Sequence, residues 1–155
     1  MPVDLTYNIP EEQLSGTIDA TVIDVHAGSG GRAGSTTKGV VNWYLQNNPF
    51  ATGVHRGPHG FGPLPLGRYT MLQHEVHPHW VWLVPLAGSD MLGRSGFAIH
   101  PRGPIGSHGC IVPDNAQDVI RILHAIAHRK ADGGPDPILE VIAVGSDLDR
   151  KLTTA

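Results

Sequence analysis

The sequence predicts a mostly β single domain with one main α-helix. Three observations carry that expectation. Twenty glycines and thirteen prolines among 155 residues mark a turn-rich chain, suited to short strands and long loops. Several short segments are rich in β-branched or aromatic residues and alternate in polarity. Only one stretch, beginning near Asn115, has the apolar spacing of a helix. A mass of 16.5 kDa suits one domain. A chain of this length buries roughly 68–70% of its unfolded surface without needing disulfide or metal staples. The expected unit is 1–155, with a core over about 17–145 and a polar tail at 146–155.

Each element follows from local residues. Residues 17–25 (Thr-Ile-Asp-Ala-Thr-Val-Ile-Asp-Val) nearly alternate and read as one strand with one buried face. Residues 5–9 read as a short strand pairing with it. Residues 27–35 are dominated by Gly and Ser and read as a surface loop lining a cleft. A phosphate-binding loop would continue into Lys-Ser/Thr and a helix, but Lys38 is followed by Gly39. Residues 40–45 fit a strand or a helical turn, and 47–65 form a long Gly/Pro loop containing His55 and His59. Residues 67–72, 79–84 and 96–100 read as strands, the last ending on His100. Asp114 or Asn115 caps the helix, and Val119, Ile120, Ile122, Leu123 and Ile126 form its apolar face. Ala131-Asp132-Gly133-Gly134-Pro135 stops it, and 137–144 form a final strand.

Composition excludes several classes. Charged residues are 16% and the formal net charge is −3, without the basic face that nucleic acid requires. No apolar run approaches the ~20 residues of a membrane span. Met1-Pro2-Val3-Asp4-Leu5 has neither the basic nor the apolar region of a signal peptide. One Cys stands against ten His, so an internal disulfide or a thiolate-rich zinc site is excluded.

That single thiol lies in the stretch His100-Pro101-Arg102-Gly103-Pro104-Ile105-Gly106-Ser107-His108-Gly109-Cys110. A thiol with a pKa near 8.5 is mostly protonated at neutral pH, so a cysteine nucleophile needs an imidazole or a positive field beside it. His100 ends a strand, and the Gly/Pro loop after it can bend Cys110 back toward it. Amides in such a turn can point at one spot and hold an oxyanion. From residue types alone, a buried inert thiol with a solvent-exposed His108 is also open.

Ser107-His108-Gly109-Cys110-Ile111, with His100 upstream, resembles the Ser/Thr-His-Gly-Cys signature of the L,D-transpeptidase catalytic domain (the YkuD-like fold). The chain departs from the common pattern in its shorter His-to-Cys spacing and in having Val112-Pro113 where Arg or Asn usually follows the Cys. The shorter spacing is similar to that of the L,D-transpeptidase effectors exported by type VI secretion systems. Gly62-Pro63-Leu64-Pro65-Leu66-Gly67-Arg68-Tyr69-Thr70 resembles the Gly-Pro-Ile-Pro-x-Gly-x-Tyr segment of that branch, and residues 28–34 with Asn42 resemble its N-terminal part. The likeness covers roughly residues 18–113.

The resemblance implies a β-sandwich or barrel-like catalytic domain. It makes Cys110 the nucleophile and His100 its base. It makes the backbone carbonyl of Pro101 the third member and the Gly109 or Cys110 amide the oxyanion donor. Ser107, His108 and Tyr69 would line the substrate pocket, and Arg102 would pair with a substrate carboxylate. The implied substrate is the tetrapeptide stem of peptidoglycan, processed through a thioester by transpeptidation, D-amino-acid exchange or hydrolysis, without cofactor or metal. The branch further implies export by a contact-dependent secretion machine from the cytoplasm to act in the periplasm, and an immunity protein as partner.

The other histidines carry a rival. His74, His77 and His79 precede Trp80, with His77 and His79 expected on one strand face, which would suit a zinc-dependent peptidoglycan hydrolase. Glu75 would point away from that face, leaving the ligand set incomplete. His124 and His128 have helical zinc-pair spacing, but Ala125 stands where the metalloprotease motif has Glu. A non-enzymatic cell-wall or assembly module on the same fold is the second rival.

Overall fold

A computed structural model describes residues 2–31, 45–54, 61–101 and 107–145. Among these, eight strands form a closed barrel: β1 (Leu5–Asn8), β2 (Gln13–Ile18), β3 (Thr21–Ser29), β4 (Gly67–Gln73), β5 (Val81–Pro85), β6 (Phe97–Ile99), β7 (Ile111–Pro113) and β8 (Ile138–Ile142). Around the barrel the order is β1-β2-β3-β7-β6-β5-β4-β8. The pairs β1–β8 and β6–β7 are parallel; the remaining neighbours are antiparallel. The mostly β expectation with one main helix, α1 (Ala116–Ala131), therefore holds in its coarse form.

Alternation explains the interior. Leu5 and Tyr7 of β1, Tyr69 and Met71 of β4, Val81 and Leu83 of β5, and Leu139 and Val141 of β8 all point inward and are buried. The helix begins at the Asn115 cap, whose side chain accepts the Gln117 N–H at 2.9 Å. It touches β2, β3, β4, β5 and β7, strands on opposite arcs of the barrel, and so lies across one mouth. Val119, Ile122, Ala125 and Ile126 bury there. Ala125 belongs to this face, whereas Ile120 and Leu123 are only partly covered.

Three local readings change. Residues 17–25 are not one strand: Asp19, with φ 53°, and Ala20 turn the chain between β2 and β3. Alternation alone cannot reveal that turn, because both arms carry the same period. Residues 27–29 belong to β3 rather than to a loop, since Ala27, Gly28 and Ser29 pair with Pro113, Val112 and Ile111. His79 and Trp80 precede β5 instead of opening it, so His77 and His79 do not share a strand face. Residues 5–8 do pair with β2, and 47–65 are largely irregular where described, with a 3-10 turn at Pro49–Ala51. Residues 40–44, the tail 146–155, Lys38, Gly39, Asn42, His55, His59 and Arg102 lie outside the described residues.

Candidate active site

The site lies on two strands that follow one another in the chain and pair in parallel in the barrel. The Ile99–Ile111 pair joins β6 to β7, and the His100 amide donates to the Ile111 carbonyl at 3.1 Å. Ile99 and Ile111 point into the core. By alternation His100 and Cys110, each one residue away, face the opposite side. Continuing the register sets Cys110 beside Ala98 and His100 beside Val112, making the thiol and the imidazole diagonal neighbours on one face. Cys110 therefore precedes a short strand, and the helix comes only after it.

His100 is oriented from two directions. Its Nδ1 lies 2.8 Å from the Pro101 carbonyl oxygen, which accepts an Nδ1–H and leaves Nε2 unprotonated. On its other side, Trp80 sits across the β5–β6 register from it, with ring centroids 4.8 Å apart. Burial pushes the His100 pKa below its ordinary value; the Pro101 hydrogen bond opposes this and the nearby His77 reinforces it.

The turn carrying Cys110 is pinned at every residue before the thiol. The Ser107 hydroxyl donates to the Cys110 carbonyl at 2.6 Å and accepts from the amides of Gly30 at 2.9 Å and Gly109 at 3.3 Å. The Gly109 carbonyl accepts from the Ser29 hydroxyl at 2.7 Å, which in turn accepts the Leu64 amide at 3.1 Å. Gly109 has φ 117°, and a Cβ there would stand 2.5 Å from the Phe97 ring and 2.6 Å from the Arg94 guanidinium. Only glycine allows this turn to pack so closely. His108 is exposed and stacks on Phe61 with centroids 3.9 Å apart.

Three expected site residues have their polar groups engaged within the fold. Ser107 is buried with its hydroxyl committed to the turn. Tyr69 is fully buried in β4 and its hydroxyl donates to the Pro65 carbonyl at 2.7 Å. Strand alternation aims it at the core, and burial raises its pKa well above the ordinary value. The Gly109 N–H is already directed at Ser107, which leaves the Cys110 amide as the candidate oxyanion donor.

Two contributors are not legible in the motif. Arg94, in the loop before β6, is 6% exposed, and its guanidinium donates to the carbonyls of Thr52, Pro63, Gly62 (3.1 Å) and His108 (2.9 Å). Asn47, also buried, accepts the Ser29 amide at 3.1 Å and meets the Tyr7 hydroxyl. Burial raises the Cys110 thiol above its ordinary pKa; backbone hydrogen bonding at Ala98, the Arg94 charge and its own amide pull it back.

The His74 cluster is an aromatic stack. The His74 Nδ1 accepts the amides of Val76 and His77, both at 3.1 Å, and its ring lies 4.6 Å from that of Trp82. His77 stacks on Trp80 at 3.9 Å. Among the described residues no group of three or more His, Cys, Asp or Glu side chains is placed to hold a metal ion. His124 and His128 are exposed on α1 and line a cleft with Asp19 and Arg121, away from Cys110. No helix among the described residues is long and apolar enough to cross a membrane.

Comparison with models of known protein families finds no match, and neither the curated proteins nor the solved structures compared include one.

Proposed function

We propose that the protein is a cysteine-dependent L,D-transpeptidase or L,D-carboxypeptidase acting on peptidoglycan stem peptides. The single observation that carries this reading is the Pro101-anchored His100 beside Cys110 on adjacent strands. A backbone carbonyl on Nδ1 presents Nε2 as a proton acceptor, which is what a neutral thiol needs to become a nucleophile.

In this mechanism His100 Nε2 takes the Cys110 thiol proton as sulfur attacks the carbonyl of an L,D-linked residue near the end of a tetrapeptide. The negative oxygen of the tetrahedral intermediate is held by the Cys110 amide. The imidazolium returns its proton to the departing amine, the C–N bond breaks, and a thioester remains. An incoming amine or water then attacks the thioester, His100 accepts its proton, and the thiol is regenerated on release. No metal or cofactor enters the cycle. Arg102 would pair with a carboxylate of the stem. Delivery by a contact-dependent secretion machine to the periplasm, with an immunity protein in the producing cell, belongs to the same proposal.

Mass spectrometry of peptidoglycan fragments after incubation tests it. The parent chain should shorten, exchange or crosslink tetrapeptide stems, and Cys110→Ala should not. Iodoacetamide should abolish the activity and a zinc chelator should leave it. Equal processing by Cys110→Ala, or activity lost to the chelator alone, would overturn the reading.

A further inference from the structure

We infer that Arg94 is a positioning residue for this chemistry: its buried guanidinium braces the turn that carries Cys110 and supplies the positive field in which the Cys110 thiolate forms. The inference rests on the reading of Cys110 as nucleophile.

The geometry is specific. Arg94 is almost fully buried, and its four hydrogen-bond acceptors are carbonyl oxygens drawn from three separate segments, at Thr52, at Gly62 and Pro63, and at His108. Its guanidinium carbon lies 5.1 Å from the centre of the Phe97 ring. Residues 25–74 and 91–113, which contain all of these partners and both His100 and Cys110, hold neither Asp nor Glu. Among the described residues no carboxylate pairs with Arg94. Burying a full positive charge against carbonyl dipoles alone is strongly unfavourable.

The position accounts for the charge. Arg94 Nη2 bonds the carbonyl of His108 and packs against the Cα of Gly109, the two residues leading into Cys110. When the thiol gives its proton to His100, a negative charge appears at sulfur, in the field of a fixed cation that pairs with no carboxylate among the described residues. The two groups already sense each other: Arg94 pulls the thiol down against burial, while burial lowers the guanidinium and Tyr69, then Cys110, act to raise it. A cation fixed in place before the reaction needs no reorganisation when the charge develops.

Because the chain has one cysteine, its alkylation by iodoacetamide reports one site. The rate, read by mass spectrometry from about pH 6 to pH 11, gives the ionisation midpoint of Cys110 without any substrate. Arg94→Met should raise that midpoint by more than about half a pH unit, with several-fold slower alkylation at a fixed pH below it. Arg94→Lys keeps the charge but loses the forked donors, so its midpoint should stay within about half a unit of the parent even as its Tm falls. An unchanged midpoint in folded Arg94→Met would overturn the inference. So would a rise above about half a unit in Arg94→Lys, since bracing rather than charge would then set the thiol. If Arg94→Met does not fold, the Arg94→Lys midpoint decides alone, by the same limits. Alkylation as expected with intact stem peptides would sink the substrate reading and leave Arg94 in place. A folded parent whose Cys110 resists alkylation throughout would sink both.

Discussion

The Nδ1 of His100 lies 2.8 Å from the carbonyl oxygen of Pro101, the residue that follows it in the chain. A carbonyl oxygen can only accept, so the ring nitrogen facing it carries the proton. The tautomer is thereby set by a neighbour that no side-chain substitution removes.

The pH dependence of activity follows from that imidazole. His100 must be neutral to take a proton, and burial places its pKa below the ordinary 6.5. Activity should therefore be retained at pH 6.5 and lost as pH falls through the lower folded value. His100→Ala should reduce turnover of tetrapeptide stems by about 10²–10⁴-fold at neutral pH. A pH–rate profile of the parent chain reads the limb; a midpoint above 6.5 would contradict it.

Trp80 supplies part of the burial around His100, with ring centroids 4.8 Å apart. Removing the indole in Trp80→Ala admits water and relieves the desolvation that lowers the imidazole. The acid limb should move up toward 6.5, the ordinary value. Trp80→Phe, which keeps an apolar wall, should move it less. An acid limb that stays in place in folded Trp80→Ala would show that the indole does not contribute to the shift.

Ser107→Ala distinguishes loop support from substrate contact. It leaves the Gly30 and Gly109 amides and the Cys110 carbonyl without their hydroxyl partner. Unsatisfied buried groups cost about 1–3 kcal/mol, so thermal unfolding should shift down markedly. The fall in activity should appear in kcat, through a loosened turn, with KM for the stem peptide little changed. A raised KM at unchanged Tm would return Ser107 to the substrate pocket.

Gly109→Ala should be among the most damaging single-methyl additions in the chain. The new carbon would meet the Phe97 ring at 2.5 Å and the Arg94 guanidinium at 2.6 Å, in a backbone with φ 117°. Strain at such a φ costs of order 1–3 kcal/mol before any overpacking is counted. Gly88→Ala is the control, because its φ of 93° is also left-handed but its Cβ would face open space. If both substitutions lower Tm equally, the clash at Phe97 and Arg94 is relieved elsewhere.

The extent to which the site was legible depends on how local each signal is. The α1 helix, its Asn115 cap and the β4 strand were readable because period, cap chemistry and turn residues are written within a few positions. The turn at Asp19 and Ala20 was not, since two antiparallel arms can preserve one alternation across it. Tyr69 looked like a pocket residue by its motif, yet the phase of β4, set by Met71 on the same face, sends it into the core.

The sequence by itself determined the ingredients: a β-rich chain with one helix, a lone cysteine, and a histidine at a strand end, all properties of neighbouring residues. Only the tertiary structure decided which residues meet. Closing the barrel with β6 beside β7 sets His100 and Cys110 on one face. It brings Trp80 across from His100, and it draws Arg94 under the Cys110 turn from a loop whose sequence carries no motif. The physical reason is that strand order and loop packing minimise exposed edges and unpaired polar groups over the whole chain, so contacts between distant residues are set by closure and not by local pattern.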